Sequence, residues 1–303
     1  ANRPNLISYD MGGTSTDVAL IRDCQPSVSN EIEIEYAMPI HVPMVDVRTI
    51  GAGGGSIARV NEAGLLEVGP QSAGADPGPI CYGRGGNLPT ISDANMVLGR
   101  LDVSKLKSVP GAVDIHNIRR IFQTRLGDPL GVDAETAAAA VLRMATTRMA
   151  GATRMVSVSL GVDPRDFSLF AFGGAGPLHA SALADELGIP EVLVPARPGI
   201  TNALGCIVAD LRHDFVRTVN SPLDAMEIDL LTGMLESQAR DGEALILQEP
   251  VRIEAIDVTH SLDMQFAGQT HVLSVPLKSA RMTRADIQQA FEEVYYFRFR
   301  VRL

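Results

Sequence analysis

Eight residues near the start of the chain carry a dense set of ligand-binding groups: Asp10-Met11-Gly12-Gly13-Thr14-Ser15-Thr16-Asp17. Gly12 and Gly13 permit positive φ and let another group approach the backbone closely. Thr14, Ser15 and Thr16 add hydroxyls, and the N–H groups of such a loop can form an anion-binding concavity. Asp10 stands at a strand end, where a carboxylate can hold Mg²⁺ through water. These parts suit a nucleotide phosphate with its metal. They also fit a polar hairpin turn with a solvated aspartate at each end.

A second glycine turn follows much later. Asp166 to Phe172 reads as a strand, Gly173-Gly174-Ala175-Gly176 as a turn, and Pro177 as the first residue of a helix ending before Gly188. A strand–turn–helix crossover of this kind is a standard place for a nucleotide. His179 lies in that helix and reads as a satisfied structural histidine more readily than as a catalytic one.

Eleven of the 28 glycines fall between Gly51 and Gly86. The density predicts a long shaped loop region that adds little to the core. Interleaved apolar and aromatic residues argue against disorder, and long ordered loops are disproportionately functional.

The elements that must position these residues follow from periodicity. Leu6 to Tyr9 and Val18 to Ile21 flank the first turn as a β-hairpin. Glu31 to Tyr36 alternates strictly and predicts a third strand. Three antiparallel strands in succession suggest an α+β unit of the ribonuclease-H-like kind. A short helix is expected over 94–98, capped by Ser92-Asp93, and another over 114–126. The longest helix is expected over 134–160, with Val141, Ala145, Met149, Ala152 and Val156 on one stripe. Glu191 to Val194 reads as a strand, Thr201 as the cap of a helix to Ala209, and His213 to Val219 as a strand. Beyond 221, the expectation is a helix over 229–248, strands over 251–266 and 270–275, and a last helix capped at Thr283.

Composition limits the partners. Charged residues are 20% and hydrophobic ones 46% of the 303 residues, close to a globular average. Trp is absent, so the core is expected to be aliphatic. A net charge of −10 argues against nucleic acid and anionic membranes as partners. No apolar run approaches the ~20 residues of a membrane helix. Cys24, Cys81 and Cys206 are scattered without metal-ligand spacing and fit a reducing, cytoplasmic location.

Asp10 to Asp17 between two strands is similar to the second phosphate motif of actin-like ATPases, a superfamily that includes sugar kinases and heat-shock chaperones. Phe172 to Gly176 is similar to its adenosine motif. The chain more specifically resembles the hydantoinase A/5-oxoprolinase family, which also contains acetone carboxylase β subunits. The matching blocks are D-M-G-G-T-S-T-D-V-A at 10–19, I-G-A-G-G-G-S-I-A at 50–58 and S-A-G-A-D-P-G-P at 72–79. Further blocks are C-Y-G-R-G-G at 81–86, D-A-N-M-V-L-G-R-L at 93–101 and F-G-G-A-G-P-L-H-A at 172–180. Two departures stand out. The family carries another Gly-Gly-Thr motif on a preceding domain, so this chain is expected to be a central domain from a longer protein. The family also usually has Arg-Tyr where Gln265-Phe266 stands.

The resemblance implies an α/β (α+β) fold with three parts. These are a ribonuclease-H-like ATPase domain at 1–220, an insertion at 37–133 that is Gly-rich at 51–86, and a smaller α/β unit at 221–303. It implies ATP-dependent opening of a cyclic amide or imide, of hydantoin or 5-oxoproline type, through phosphorylation of the carbonyl oxygen. ATP and Mg²⁺ are the implied cofactors and a hydantoinase B-like subunit the implied partner. Asp10 would be the catalytic residue, positioning Mg²⁺ or the attacking oxygen. Gly12, Gly13, Thr14, Ser15, Thr16 and Asp17 would hold phosphates, and Gly173, Gly174, Ala175 and Gly176 would lie against adenosine. Gly53, Gly54, Gly55, Ser56, Asp76, Tyr82, Arg84 and Asp93 would form a substrate or partner face. A ketone carboxylase subunit and a non-catalytic actin-like ATP switch remain as alternatives.

Overall fold

The computed structural model describes residues 2–29, 32–34, 38–40, 44–102, 114–270 and 272–302. It divides into two compact units, Ala1–Val208 and Ala209–Leu303; the sequence had suggested a boundary near 220.

The first strand, β1 (Leu6–Met11), buries alternate residues Ile7, Tyr9 and Met11, as the two-residue period requires. Its neighbour β2 (Thr16–Arg22) returns antiparallel, from Met11 opposite Thr16 to Leu6 opposite Ile21. The far edge of β2 is shared. The short β3 (Gln25–Pro26) pairs with Ile21 and Arg22, and β8 (Val47–Ile50) pairs with Thr16 to Ala19. On the other side of β1, β11 (Ser168–Phe172) runs parallel, with Asp10 opposite Phe172, and β12 (Val192–Leu193) runs parallel to β11. The order β12-β11-β1-β2 with β8 outermost is the mixed ribonuclease-H-like sheet.

The third strand of that sheet differs from the expectation. Within the segment Glu31 to Tyr36, only 32–34 are described; they form β5 (Ile32–Ile34), which pairs with β6 (Met38–Ile40) outside the main sheet. The two-residue β4 (Val28–Ser29) and β7 (Met44–Val45) form another separate pair. Alternation identified a strand but not its neighbour. The main-sheet edge goes to β8, which reaches Thr16 and the hairpin turn directly.

The Gly-rich stretch is ordered and part of the core, against the expectation that it adds little. It contains the hairpin β9 (Ser56–Val60) and β10 (Leu66–Ser72) and is followed by α1 (Ile91–Val97). Ala52, Ala58, Val68, Ile80, Cys81, Ile91 and Val97 all belong to the main hydrophobic cluster. The cap of α1 is Thr90 and not Ser92. Thr90 and Asp93 form a reciprocal capping box, which starts the helix earlier.

Among the described residues, α2 (Ile115–Phe122) runs on through a π-helical turn at Gln123–Gly127 into the short α3 (Asp128–Leu130), and α4 (Ala134–Ser159) leads to the second half of the sheet. Asp133 caps α4 by accepting from the Thr136 amide at 2.7 Å. The expected stripe is buried at Val141, Ala145, Met149 and Val156, and α4 packs on α1, β2 and α5 (Gly176–Leu187). Tyr9 donates its buried hydroxyl to the sulfurs of Met11 and Met149, which joins β1 to α4. The unit closes with α6 (Thr201–Val208).

In the second unit, residues 209–220 have no regular structure, so the strand expected over 213–219 is absent. The long strand expected over 251–266 shrinks to β13 (His260–Met264), because β14 (Leu273–Leu277) is long enough to pair with only that part. Helices α7 (Ile228–Ile246) and α8 (Arg284–Phe299) complete it, the latter with the expected Thr283–Asp286 capping box. Its core joins Met226, Leu231, Leu235 and Ile287. Phe266 meets Phe291 edge-on at 4.8 Å between ring centroids. Among the described residues, no helix is long and apolar enough to cross a membrane.

Candidate functional site

Two parallel strands bring the two glycine turns together. β1 and β11 are neighbours, so the residues after Met11 and after Phe172 leave the sheet at one edge. This carboxyl edge is where ligands bind in α/β sheets. The Ala175 amide donates to the Met11 carbonyl at 2.9 Å, which bonds the second turn to the root of the first. Gly173 has φ +85°, and a Cβ there would overlap the Asp10 carboxylate and lie 2.5 Å from the Met11 carbonyl oxygen. Gly176 packs on Tyr9 and Met11 at the start of α5. Gly174 is exposed, with open space around its α-carbon.

The first turn is closed by the Gly12 amide donating to the Ser15 carbonyl at 3.0 Å. Gly13 and Thr14 are exposed at its tip. Among the described residues, no acceptor takes the amides of Gly13, Thr14 or Ser15. Three neighbouring free N–H groups on an exposed turn are suited to an anion.

The structure separates residues that the sequence grouped together. Thr16 is fully buried, and its hydroxyl donates to the Ala52 carbonyl at 2.5 Å. It therefore faces the core and not a ligand. Asp17 accepts from the Thr49 hydroxyl at 2.5 Å across β2 and β8. Of the motif's hydroxyl residues, Thr14 is exposed and Ser15 half-buried.

The expected substrate or partner face is mostly interior. Gly53, Gly54, Gly55 and Ser56 are buried behind the first turn. The Gly54 amide donates to the Gly12 carbonyl at 3.0 Å, and the Gly55 amide to the Gly13 carbonyl at 2.6 Å. The Gly53 amide donates to Ser56 Oγ at 2.9 Å. These glycines brace the turn from behind, so the Gly12 and Gly13 carbonyls point inward while the amides of Gly13, Thr14 and Ser15 stay free. Asp93 is also buried. Its carboxylate accepts from the amides of Cys81 at 2.7 Å, Ile80 at 3.2 Å and Thr90 at 3.1 Å, and from the Thr90 hydroxyl at 2.7 Å. Burial pushes the Asp93 carboxyl up and these bonds pull it back. Both groups are structural because a loop this rich in glycine has many backbone groups to satisfy. Asp76 and Arg84 are exposed and Tyr82 half-buried on the loop after β10. Arg84 Nη1 donates to the Ala75 carbonyl at 3.0 Å.

His179 is buried, as expected of a structural residue, and its Nε2 accepts from Asn95 Nδ2 at 3.2 Å. Burial, with some repulsion from Arg100, lowers its pKa to about 4. The ring is therefore neutral at pH 7.

A third segment was not legible beforehand. Asn202, in the first turn of α6, donates from Nδ2 to Asp10 Oδ2 at 2.6 Å. The Pro198 carbonyl accepts the Gly173 amide at 3.0 Å. The segment following β12 thus touches both turns; the available signal was that it too leaves the sheet at its carboxyl edge. Beside it, Leu101, Gly173, Gly174, Pro177, Leu178, Pro198 and Gly199 line an open cleft of about 430 Å³.

Among the described residues, no three His, Cys, Asp or Glu side chains cluster as a metal cage. Asp10 is the carboxylate between the two turns. One carboxylate with phosphates and water is an ordinary setting for Mg²⁺, so the residues present fit the ion.

Comparison with known proteins agrees with this architecture. The caprolactamase subunit alpha of Pseudomonas jessenii is 37% identical over 289 residues, covering 93% of this chain and 41% of that protein. The crystal structure of ATP-dependent caprolactamase from the same organism matches with a TM-score of 0.80 at 33% identity, over 98% of this chain and 44% of that one. The acetone carboxylase beta subunit of Xanthobacter autotrophicus is 32% identical, over 96% of this chain and 42% of that protein. The chain thus spans less than half the length of these relatives. The family model for Hydantoinase/oxoprolinase matches residues 1–215, and the chain belongs to that family.

Proposed function

We propose that this chain forms the nucleotide-binding part of an enzyme that uses ATP to open a cyclic amide. The observation that carries this reading is the junction of the two glycine turns around Asp10 at the ends of β1 and β11. Amide resonance makes a lactam or imide carbonyl a poor electrophile. Transfer of the γ-phosphoryl group from ATP to the carbonyl oxygen releases ADP and makes the carbon electrophilic. Water then adds to that carbon, the ring C–N bond breaks with the nitrogen taking up a proton, and phosphate leaves by hydrolysis as the carboxylate forms. The free amides of Gly13, Thr14 and Ser15 bind the phosphates, and Asp10 would hold the metal. Mg²⁺, when bound, neutralises charge on the transferring phosphoryl group. The apolar cleft beside Gly173 and Gly174 takes the adenosine.

Membership among relatives named as caprolactamase and acetone carboxylase supports ATP use, and their subunit names support assembly with a partner, here a hydantoinase B-like subunit. A reducing cytoplasm fits Cys24, Cys81 and Cys206, all of which are free thiols. A second reading, ATP-dependent carboxylation of a ketone, is favoured by the acetone carboxylase relative. The test measures phosphate release by the full-length protein with its partner subunit, using lactams, hydantoins and 5-oxoproline, then ketones with bicarbonate. Release that depends on a cyclic amide supports the first reading; release that requires both ketone and bicarbonate overturns it in favour of the second.

A further inference from the structure

We propose that Asn202 is a positioning residue for Asp10. This rests on the nucleotide reading above and extends it to a residue outside the two glycine turns. The two residues lie 192 positions apart, yet Asn202 Nδ2 reaches Asp10 Oδ2 at 2.6 Å. A bond this short to a carboxylate is charge-assisted. The donor is a neutral amide. It fixes the plane of the carboxylate without cancelling its charge, whereas a Lys or Arg there would compete with a cation for it. The other oxygen, Oδ1, lies over Gly173, where the missing side chain leaves it room. Asp10 is thereby held between an amide on one side and a bare backbone on the other. The segment bearing Asn202 is itself tied to the second turn through the Pro198 carbonyl and the Gly173 amide, at 3.0 Å. Asn202 is exposed and packs into no core, so orienting Asp10 is the role its contacts give it.

The test uses the full-length protein with its partner subunit. Binding of ADP is titrated by calorimetry at several Mg²⁺ concentrations, and kcat and KM for the cyclic amide are measured alongside. Residues that orient a metal-binding group typically contribute about 10–100-fold to metal affinity or activity. Asn202→Ala is expected to raise the Mg²⁺ concentration needed for ADP binding by about that factor and to lower kcat, with the amide KM and the melting temperature unchanged. Asp10→Asn is the control. If Asp10→Asn abolishes metal-dependent ADP binding and Asn202→Ala leaves it unaltered, the positioning role is wrong and the nucleotide reading stands. If Asp10→Asn binds Mg²⁺ and ADP as the parent does, Asp10 holds no metal and this inference fails while the nucleotide reading stands. If the parent itself binds no ADP at any Mg²⁺ concentration, the nucleotide reading fails and this inference fails with it. A fall in melting temperature with Asn202→Ala, at unchanged Mg²⁺ dependence, would make the contact merely structural and overturn the proposal.

Discussion

Gly173 stands where any Cβ would overlap Oδ1 of Asp10, although one residue follows β11 and the other lies near the end of β1, in different motifs. The glycine makes room for the carboxylate and also takes a φ of +85° that side chains rarely adopt. Gly174, next to it, has open space. The two glycines therefore have different reasons to be there. Gly173→Ala is expected to cost about 1–3 kcal/mol from the backbone alone and to dislodge Asp10, so both melting temperature and ADP affinity fall. Gly174→Ala should melt normally and weaken only ADP binding. Calorimetric melting and titration of both variants check this; equal melting temperatures would remove the distinction.

Gly53 touches the first turn from behind. A Cβ there would lie 2.5 Å from the Thr14 carbonyl carbon and 2.7 Å from the Ser15 amide nitrogen. These neighbours are backbone and cannot rotate away. Gly53→Ala must displace the turn at a cost of about 1–3 kcal/mol, in the range of an overpacked core. A Cβ on Gly13, at the exposed tip, meets nothing within 4 Å. Chemical denaturation should show Gly53→Ala destabilised and Gly13→Ala close to the parent.

The hydroxyls of the motif divide in the same way. Thr16→Val removes the donor to the buried Ala52 carbonyl and leaves that oxygen unpaired, at a cost of about 1–3 kcal/mol. Thr14→Val acts on an exposed tip and should change stability by less than about 0.5 kcal/mol. If Thr14 meets phosphate, this second variant loses ATP affinity instead. Urea midpoints and nucleotide titration separate the two effects.

What the sequence made legible is largely local. The hairpin around Gly12, the stripe on α4 and the capping box at Thr283 follow from spacing and short-range hydrogen bonding. Resemblance supplied the pairing of two distant glycine turns. Neither approach found which side of each motif faces outward. Thr14, Ser15 and Thr16 are adjacent hydroxyls, and only tertiary packing turns Thr16 inward to Ala52. Gly53 to Ser56 carry the same residue types as a ligand loop, but they brace one. Asn202 carries no motif in its neighbours; its partner is set by strand order, which brings α6 back to the end of β1. The third strand failed for a related reason, since alternation over 31–36 says nothing about which ladder accepts it.

Buried His179 gives the unit a pH dependence with a definite sign. Its pKa falls from 6.5 to about 4 because burial disfavours the charged ring and Arg100 adds repulsion. The folded state therefore binds this proton only near pH 4, whereas the unfolded chain binds it below about 6.5. Between those values the unfolded state carries more protons, so stability is full above about 6.5 and is lost as pH drops. At 1.36 kcal/mol per pKa unit, the loss by pH 4 reaches about 3 kcal/mol. Glu191 and Asp163 are both pulled down to about 2 by Arg3 and Arg165, and their contributions begin to fade only near the ordinary carboxylate range. Asp93 is shifted upward and acts in the opposite sense. Comparing the parent with His179→Gln isolates the histidine from all three. Urea unfolding at pH 7.0, 6.0 and 5.0 should show the parent losing stability stepwise while His179→Gln stays nearly level. Parallel losses in both proteins would mean that this histidine does not control the acid side of the stability curve.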